Sequence, residues 1–278
     1  KLDGLKKPYY IEYKLRLRDV YNASANLGSV VDSGFRKVAS INVGVRVGDY
    51  KFDNSNFFDI GLSFFGSSDD EESFKSRSIP IEFDYNTLRR EFWLATDAAY
   101  KQSAEIFSKK EASLKNRMRK DTTHDFIVVK PTKNYNYEVA PNFDLKNYAD
   151  LVKSLSAVFL EYGEISSSSV GVEYLPEISY YVNSEGMEYI TSDYYAGLEI
   201  AAFAQAEDGM PISNFYTTFT VNPKDFPSKD SLVKATKEVA NKLTLMLKAK
   251  DLEEPYSGPV LVSQQAAAEA IAQIFAPN

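Results

Sequence analysis

The chain has no cysteine and a single histidine, His124, in 278 residues. Without cysteine it can form no disulfide and offer no thiolate to a metal. With one histidine, a Ser-His-Asp triad, a Cys-His dyad or a two-histidine zinc site built from this chain must use His124 or fail. That residue lies in "RKDTTHDFIVVKPTK", a polar stretch with no partner pattern, and reads as a solvated loop histidine. No run approaches the ~20 apolar residues of a membrane-crossing helix. Positive charge is also short: 32 Lys and Arg face 39 Asp and Glu, a net charge of −7. That balance disfavours nucleic acid as a general partner, because phosphate binding needs a basic face.

Apolar and aromatic residues are plentiful. Hydrophobic residues make up 44% of the chain, with 19 Tyr and 18 Phe, enough for a substantial core and against disorder over most of its length. "PYYIEYKLRLRDV" alternates strictly. Tyr9, Ile11, Tyr13, Leu15 and Leu17 point one way, and Glu12, Lys14, Arg16 and Arg18 the other, as in a strand with one wet face. "NASANLGSVVDSG" reads as a second, weaker strand and "KVASINVGVRVGDY" as a third. Together they predict an antiparallel meander.

Gly, Ser and the acidic cluster Asp69, Asp70, Glu71 and Glu72 then mark a loop. Paired carboxylates suit a metal or a glycosidase. Consecutive side chains in a loop hold no fixed separation, so a solvated loop is the better reading. A long helix follows from about Asp84, with Asp84 or Asn86 as its cap and Leu88, Phe92, Ala95, Ala99, Ile106 and Leu114 at helical spacing. Its last turns carry Lys109, Lys110, Lys115, Arg117, Arg119 and Lys120, cations that complement the helix dipole.

Residues 121–142 read as a linker with a short extended piece. "DLKNYADLVKSLSAVFLEYGE" is an amphipathic helix ending at Gly163. Strand-like segments resume, with tight turns expected at "NSEG", where Gly186 can take positive φ, and at Gly209. A third helix is expected in "PSKDSLVKATKEVANKLTLMLKAK", with Leu232, Val239, Leu243, Met246 and Leu247 on its buried stripe. Strands cluster and are linked by hairpins rather than alternating singly with helices. The fold class is therefore α+β, antiparallel sheet against long helices. The order is compatible with two related strand-plus-helix units near 8–120 and 165–250. The expected organisation is a strand meander plus long helix in 1–120, a linker in 121–142, helix, sheet and helix in 143–257, and the start of a further domain in 258–278.

Six stretches in order, "PYYIEY", "INVGVRVGDY", "FWLATDAAYKQ", "YYVNSEG", "AQAEDGMP" and "EEPYSGPVLV", resemble the N-terminal half of TldD/PmbA-type proteins. This family is also called modulators of DNA gyrase, and its TldD-related members are metallopeptidase-like. The resemblance runs from about Pro8 to the end of the chain. It implies a larger protein, in which a mostly β C-terminal part closes a proteolytic chamber. In zinc-binding members a helix after the "GPVL" strand carries H-E-x-x-x-H, with a further ligand much later. Two histidines one turn apart grip the metal while the glutamate acts on its bound water.

Here that helix reads "AAAEAIAQIF". Placing Glu269 at the motif's glutamate puts Ala268 and Gln273 where the histidines belong. The zinc motif is thus degenerate, and Glu269 reads as an ordinary solvent-facing residue. The expectation is no zinc or other cofactor in this chain, zinc being confined to motif-bearing relatives, and no catalytic residue. By the same resemblance the chain is the scaffold and peptide-binding portion of a protein of proteolysis or peptide maturation, pairing as a homo- or heterodimer with a TldD/PmbA-like subunit. An extended peptide would be expected along "YYAGLEIAAFAQAED" and "SNFYTTFTV". The alternative is a non-catalytic binding or assembly protein that meets its partner subunit through the sheet. An unrelated acid-based hydrolase would need two fixed carboxylates facing a cleft. The start at Lys1, with leaders frequent in the resembling family, points to a periplasmic or secreted location, with the cytoplasm as the alternative. Pro259–Val262 is expected to be a strand leading into a helix from about Gln264.

Overall fold

A computed structural model defines residues 6–57, 75–115, 123–249 and 255–276. The acidic cluster at 69–72 and the basic residues Arg117, Arg119 and Lys120 lie outside the described residues, as does the side chain of Lys115.

Two 19-residue strands, β1 (Pro8–Asn26) and β2 (Ser29–Val47), form one hairpin. The expected three-strand meander is corrected to this two-strand ribbon. The only turn is at Leu27 and Gly28, both at positive φ (44° and 80°). A turn with two left-handed central residues matches the twist of paired strands. Serine hydroxyls from elsewhere hold it: Leu27 N–H donates to Ser168 Oγ and Gly28 N–H to Ser156 Oγ, each at 2.9 Å. "VDSGF" looked like a turn, yet Gly34 pairs in register with Asn22 and the strand passes straight through.

The remaining strands are β3 (Ser76–Ile79), β4 (Lys133–Asn136), β5 (Ser167–Tyr174), β6 (Glu177–Asn183), β7 (Glu188–Asp193), β8 (Ala196–Gln205) and β9 (Pro211–Thr220). They form one sheet, ordered β4-β7-β6-β1-β5-β8-β9, with β2 on the other edge of β1 and β3 beside β2. All pairs are antiparallel except β4 with β7. Residues 12–18 of β1 pair with β6 and residues 21–25 with β5. The gap between β5 and β6 falls at Leu175–Pro176, and that between β7 and β8 at Tyr194–Tyr195. The gaps line up: Asp19 N–H donates to Pro176 O at 2.9 Å and Leu175 N–H to Tyr195 O at 3.0 Å. Proline cannot donate to the ladder, so the sheet breaks there.

The helices are α1 (Tyr85–Lys115), α2 (Leu145–Ala157), α3 (Lys229–Leu247) and α4 (Gln264–Phe275). Asp84, Asp144 and Ser228 cap the first three by accepting the N–H of Thr87, Asn147 and Ser231. α1, α2 and α3 cover one face of the sheet. Under α1, Ala39, Ile41, Val43, Val45 and Val47 of β2 meet Ala95, Ala99 and Phe107. The expected stripe of α1 holds through Ala99; beyond it Ser103, Phe107 and Lys110 are buried in place of Ile106 and Leu114. A helical face drifts round a seven-residue repeat. Under α2 and α3, Val152, Leu155, Leu232, Val239 and Leu243 meet Val170, Val172, Leu198 and Ile200. Met246, expected on the buried stripe of α3, is 43% exposed.

Residues 259–262 form no strand, which corrects the expectation for Pro259–Val262. They do not pair with the sheet, and Pro259 has no N–H to donate to a ladder. Helix α4 begins at Gln264 as expected.

Candidate functional site

α4 carries Ala268, Glu269 and Gln273, all exposed. Ala268 has no donor atom, and among the described residues no three His, Cys, Asp or Glu side chains converge. This donor set does not fit zinc. His124 is exposed beside the chain segment that supplies Asp125.

The structure concentrates polar side chains at two places instead. On the face opposite the helices, Tyr10 and Tyr181 hydroxyls both donate to Glu12 Oε2, at 2.8 and 2.7 Å, and lie 2.8 Å from each other. Asn183 Nδ2 donates to Tyr10 Oη at 3.2 Å, while its Oδ1 accepts the N–H groups of Glu185 and Met187. The residue that shapes the β6–β7 turn therefore also orients the cluster, and Gly186 completes the turn at φ 88°. Burial, then the hydrogen bonds to Tyr181 and Glu12, pushes the Tyr10 hydroxyl well above the usual phenol range.

The second place is the end of the β1–β2 ribbon. Asp53 is fully buried and accepts from Tyr9 Oη at 2.7 Å and Arg46 Nη1 at 3.0 Å, and from Ser55. Burial alone would raise its carboxyl, but the bonds from Ser55, Tyr9 and Arg46 outweigh it and hold the group below the ordinary carboxylate value. Lys110 of α1 donates to Asp53 O, Ser55 O and Asp125 Oδ2 at 2.9, 2.6 and 2.6 Å. The Arg46 guanidinium sits 3.9 Å from the Phe126 ring centre. Four chain segments, at 9, 46–55, 110 and 125–126, are tied together by charges that are paired and hydrogen-bonded, as buried charges must be. Both clusters were missed in the sequence. Tyr10 and Tyr181 are 171 positions apart, and periodicity carries no signal over that range.

The sheet also has an unguarded edge. Among the described residues β9 pairs only with β8, in unbroken register from Ala196↔Thr220 to Gln205↔Pro211. Its sequence, PISNFYTTFT, has no charged residue, and its only proline is at the first position. Lysine, internal proline and bulges are the usual protections of an edge strand, and β9 has none of them. On the uncovered face, Phe203 of β8 and Phe215 and Phe219 of β9 are 40%, 49% and 71% exposed. Phe219 lies over Gly197, where a Cβ would stand 3.0 Å from the ring. The region expected to receive a peptide thus ends, among the described residues, in an edge with no strand beyond it, beside an aromatic surface.

No family model and no curated protein matches the chain. Among solved structures, a protein described as a proposed modulator of a DNA gyrase from Thermotoga maritima is similar with 11% identity and a TM-score of 0.45, over 83% of this chain and 44% of that one. TldE from Thermococcus kodakarensis is similar with 12% identity and a TM-score of 0.45, over 85% and 44% of the two chains. A proposed modulator of DNA gyrase from Bacteroides thetaiotaomicron is similar with 15% identity and a TM-score of 0.45, over 87% and 47%. The chain spans less than half the length of each of these proteins.

Proposed function

We propose that the chain is the scaffold and peptide-binding portion of a TldD/PmbA-like protein of proteolysis or peptide maturation, and that an extended peptide adds as a further strand along β9. The reading rests on the ordered sequence resemblance, and the observation that carries it is the uncharged, bulge-free outer edge of β9. Main-chain hydrogen bonds to such an edge give affinity that tolerates many sequences. Phe215 and Phe219 favour apolar side chains at alternate peptide positions. In this reading a partner subunit carrying H-E-x-x-x-H supplies the zinc and the hydrolytic step, and this chain holds and aligns the substrate. The extracytoplasmic location belongs to the same proposal.

Hydrogen exchange with and without an unfolded, apolar-rich peptide tests it. Protection should appear selectively in 211–220 and vanish in Phe215→Lys, which places a charge on the edge. If β9 amides exchange at the same rate with saturating peptide while another segment becomes protected, the assignment of the edge is wrong.

A further inference from the structure

The odd-numbered residues of β1 from Ile11 to Ala25 face the helices, and Asp19 is the only charged one among them. The neighbouring row of β2, from Phe35 to Val47, has Lys37 as its only charged member, and it stands opposite Asp19 in register. Leu17 packs in the core beneath α1 and Tyr21 in the core beneath α2. The pair therefore occupies the seam between two apolar cores. The sheet parts at the same point, since β1 leaves β6 at Arg18 and joins β5 at Tyr21. Charges that interrupt an otherwise consistent apolar row mark a place where function overrides packing.

A cavity of about 610 Å³ fills this seam and has Asp19 and Lys37 in its lining. That is a usual size for a small-molecule site. On the α2 side Tyr21, Phe143 and Tyr174 pack ring on ring, with centres 5.1–5.9 Å apart. On the α1 side stand Leu17, Phe83 and Ile178. Asp19 and Lys37 are loosely joined: Nζ is 4.0 Å from Oδ1, and the two side chains are 36% and 56% exposed. Among the described residues neither side chain makes a hydrogen bond. The other charges at the cavity are engaged. Arg18 Nε donates to Glu177 at 2.9 Å, and Tyr194 Oη donates to Glu138 at 3.3 Å.

We propose that this cavity binds a free α-amino acid with a large apolar or aromatic side chain, its ammonium on Asp19, its carboxylate on Lys37 and its side chain between the two apolar walls. A ligand of one charge would meet a like charge beside its partner. A zwitterion meets both with opposite sign. An α-amino acid holds its ammonium nitrogen and carboxylate carbon about 2.5 Å apart across one Cα, so both reach a side-chain pair 4.0 Å apart. A dipeptide separates its termini by a further unit of about 3.8 Å and overshoots the pair. The site shares no residue with β9, so this reading and the peptide edge fail separately.

Equilibrium dialysis of the 278-residue chain against L-phenylalanine tests the assignment. Saturable binding with a Kd between about 10 µM and 1 mM is expected. Phenethylamine, without the carboxylate, and 3-phenylpropionate, without the ammonium, should each compete about 10-fold more weakly or worse. Glycine, which lacks the apolar body, should not compete. Asp19→Asn should weaken phenylalanine about 10-fold and remove its advantage over 3-phenylpropionate. Lys37→Met should remove its advantage over phenethylamine. A loss of packing would weaken all three ligands alike and leave those ratios unchanged. Circular dichroism checks that both variants remain folded. No saturable binding of phenylalanine up to about 10 mM overturns the proposal. So does competition by either singly charged analogue, or by glycine, equal to that of phenylalanine, or a preference for phenylalanine over 3-phenylpropionate that survives Asp19→Asn.

Discussion

Glu12 lies flat against Gly44 of the neighbouring strand: a Cβ at Gly44 would stand 2.5 Å from Glu12 Oε1 and 2.7 Å from its Cγ. The glycine clears the place where the carboxylate receives Tyr10 and Tyr181. Gly44→Ala should push the side chain away and destabilise the protein by about 1–3 kcal/mol, the range for losing bonds to a charged acceptor. In a Glu12→Ala background the same change should cost almost nothing. Denaturant melts of the four proteins in this cycle measure the coupling. Equal losses from Gly44→Ala in both backgrounds would show that the glycine serves the strand and not the cluster.

Lys110 holds two backbone carbonyls and Asp125 in a buried setting. Lys110→Met keeps most of the side-chain volume but strands a buried carboxylate. A loss of about 3–5 kcal/mol is expected, as for a broken buried pair. Urea unfolding followed by tryptophan fluorescence would report it through Trp93, the only tryptophan. A loss below about 1 kcal/mol would mean that water already screens the pair.

Asp53 has a carboxyl held below its ordinary value in the folded state. The linkage sign follows from that direction. Its stabilising contribution is complete above the unfolded value of about 3.9 and is lost as pH falls through the lower folded value. Asp53→Asn should therefore destabilise the protein by about 1–3 kcal/mol near pH 7. The gap to the unmodified chain should narrow steadily below about pH 4. A difference that is constant from pH 7 to pH 3 would assign the loss to packing.

Val260, Leu261, Val262, Ile271, Ile274 and Phe275 are between 47% and 96% exposed. Deleting residues 258–278 should therefore leave the sheet and α1, α2 and α3 folded, with a calorimetric Tm shift of no more than about 2 °C for a monomer. Cooperative unfolding of the shortened chain would place this segment inside the core.

The sequence by itself determined the local elements. Alternation in "IEYKLRL" set the inner face of β1, where Ile11, Leu15 and Leu17 pack beneath the helices. Asp84 marked the start of α1, and Asn183 with Gly186 marked the β6–β7 turn. The α+β class followed from the order of these elements. Each of these signals is carried by neighbours within a few residues, where side-chain period, capping and φ preference act. Only the tertiary structure decided the rest. A strand ends where its partner ends, so "NASANLGSVVDSG" became the tip of a 19-residue ribbon, while "PVLV", equally apolar, pairs with no strand of the sheet. Glu12 became the acceptor of two tyrosines, and Lys110, one of several basic residues ending α1, became a buried pin. Both outcomes depend on register across strands and on chain segments distant in sequence, which no local pattern encodes.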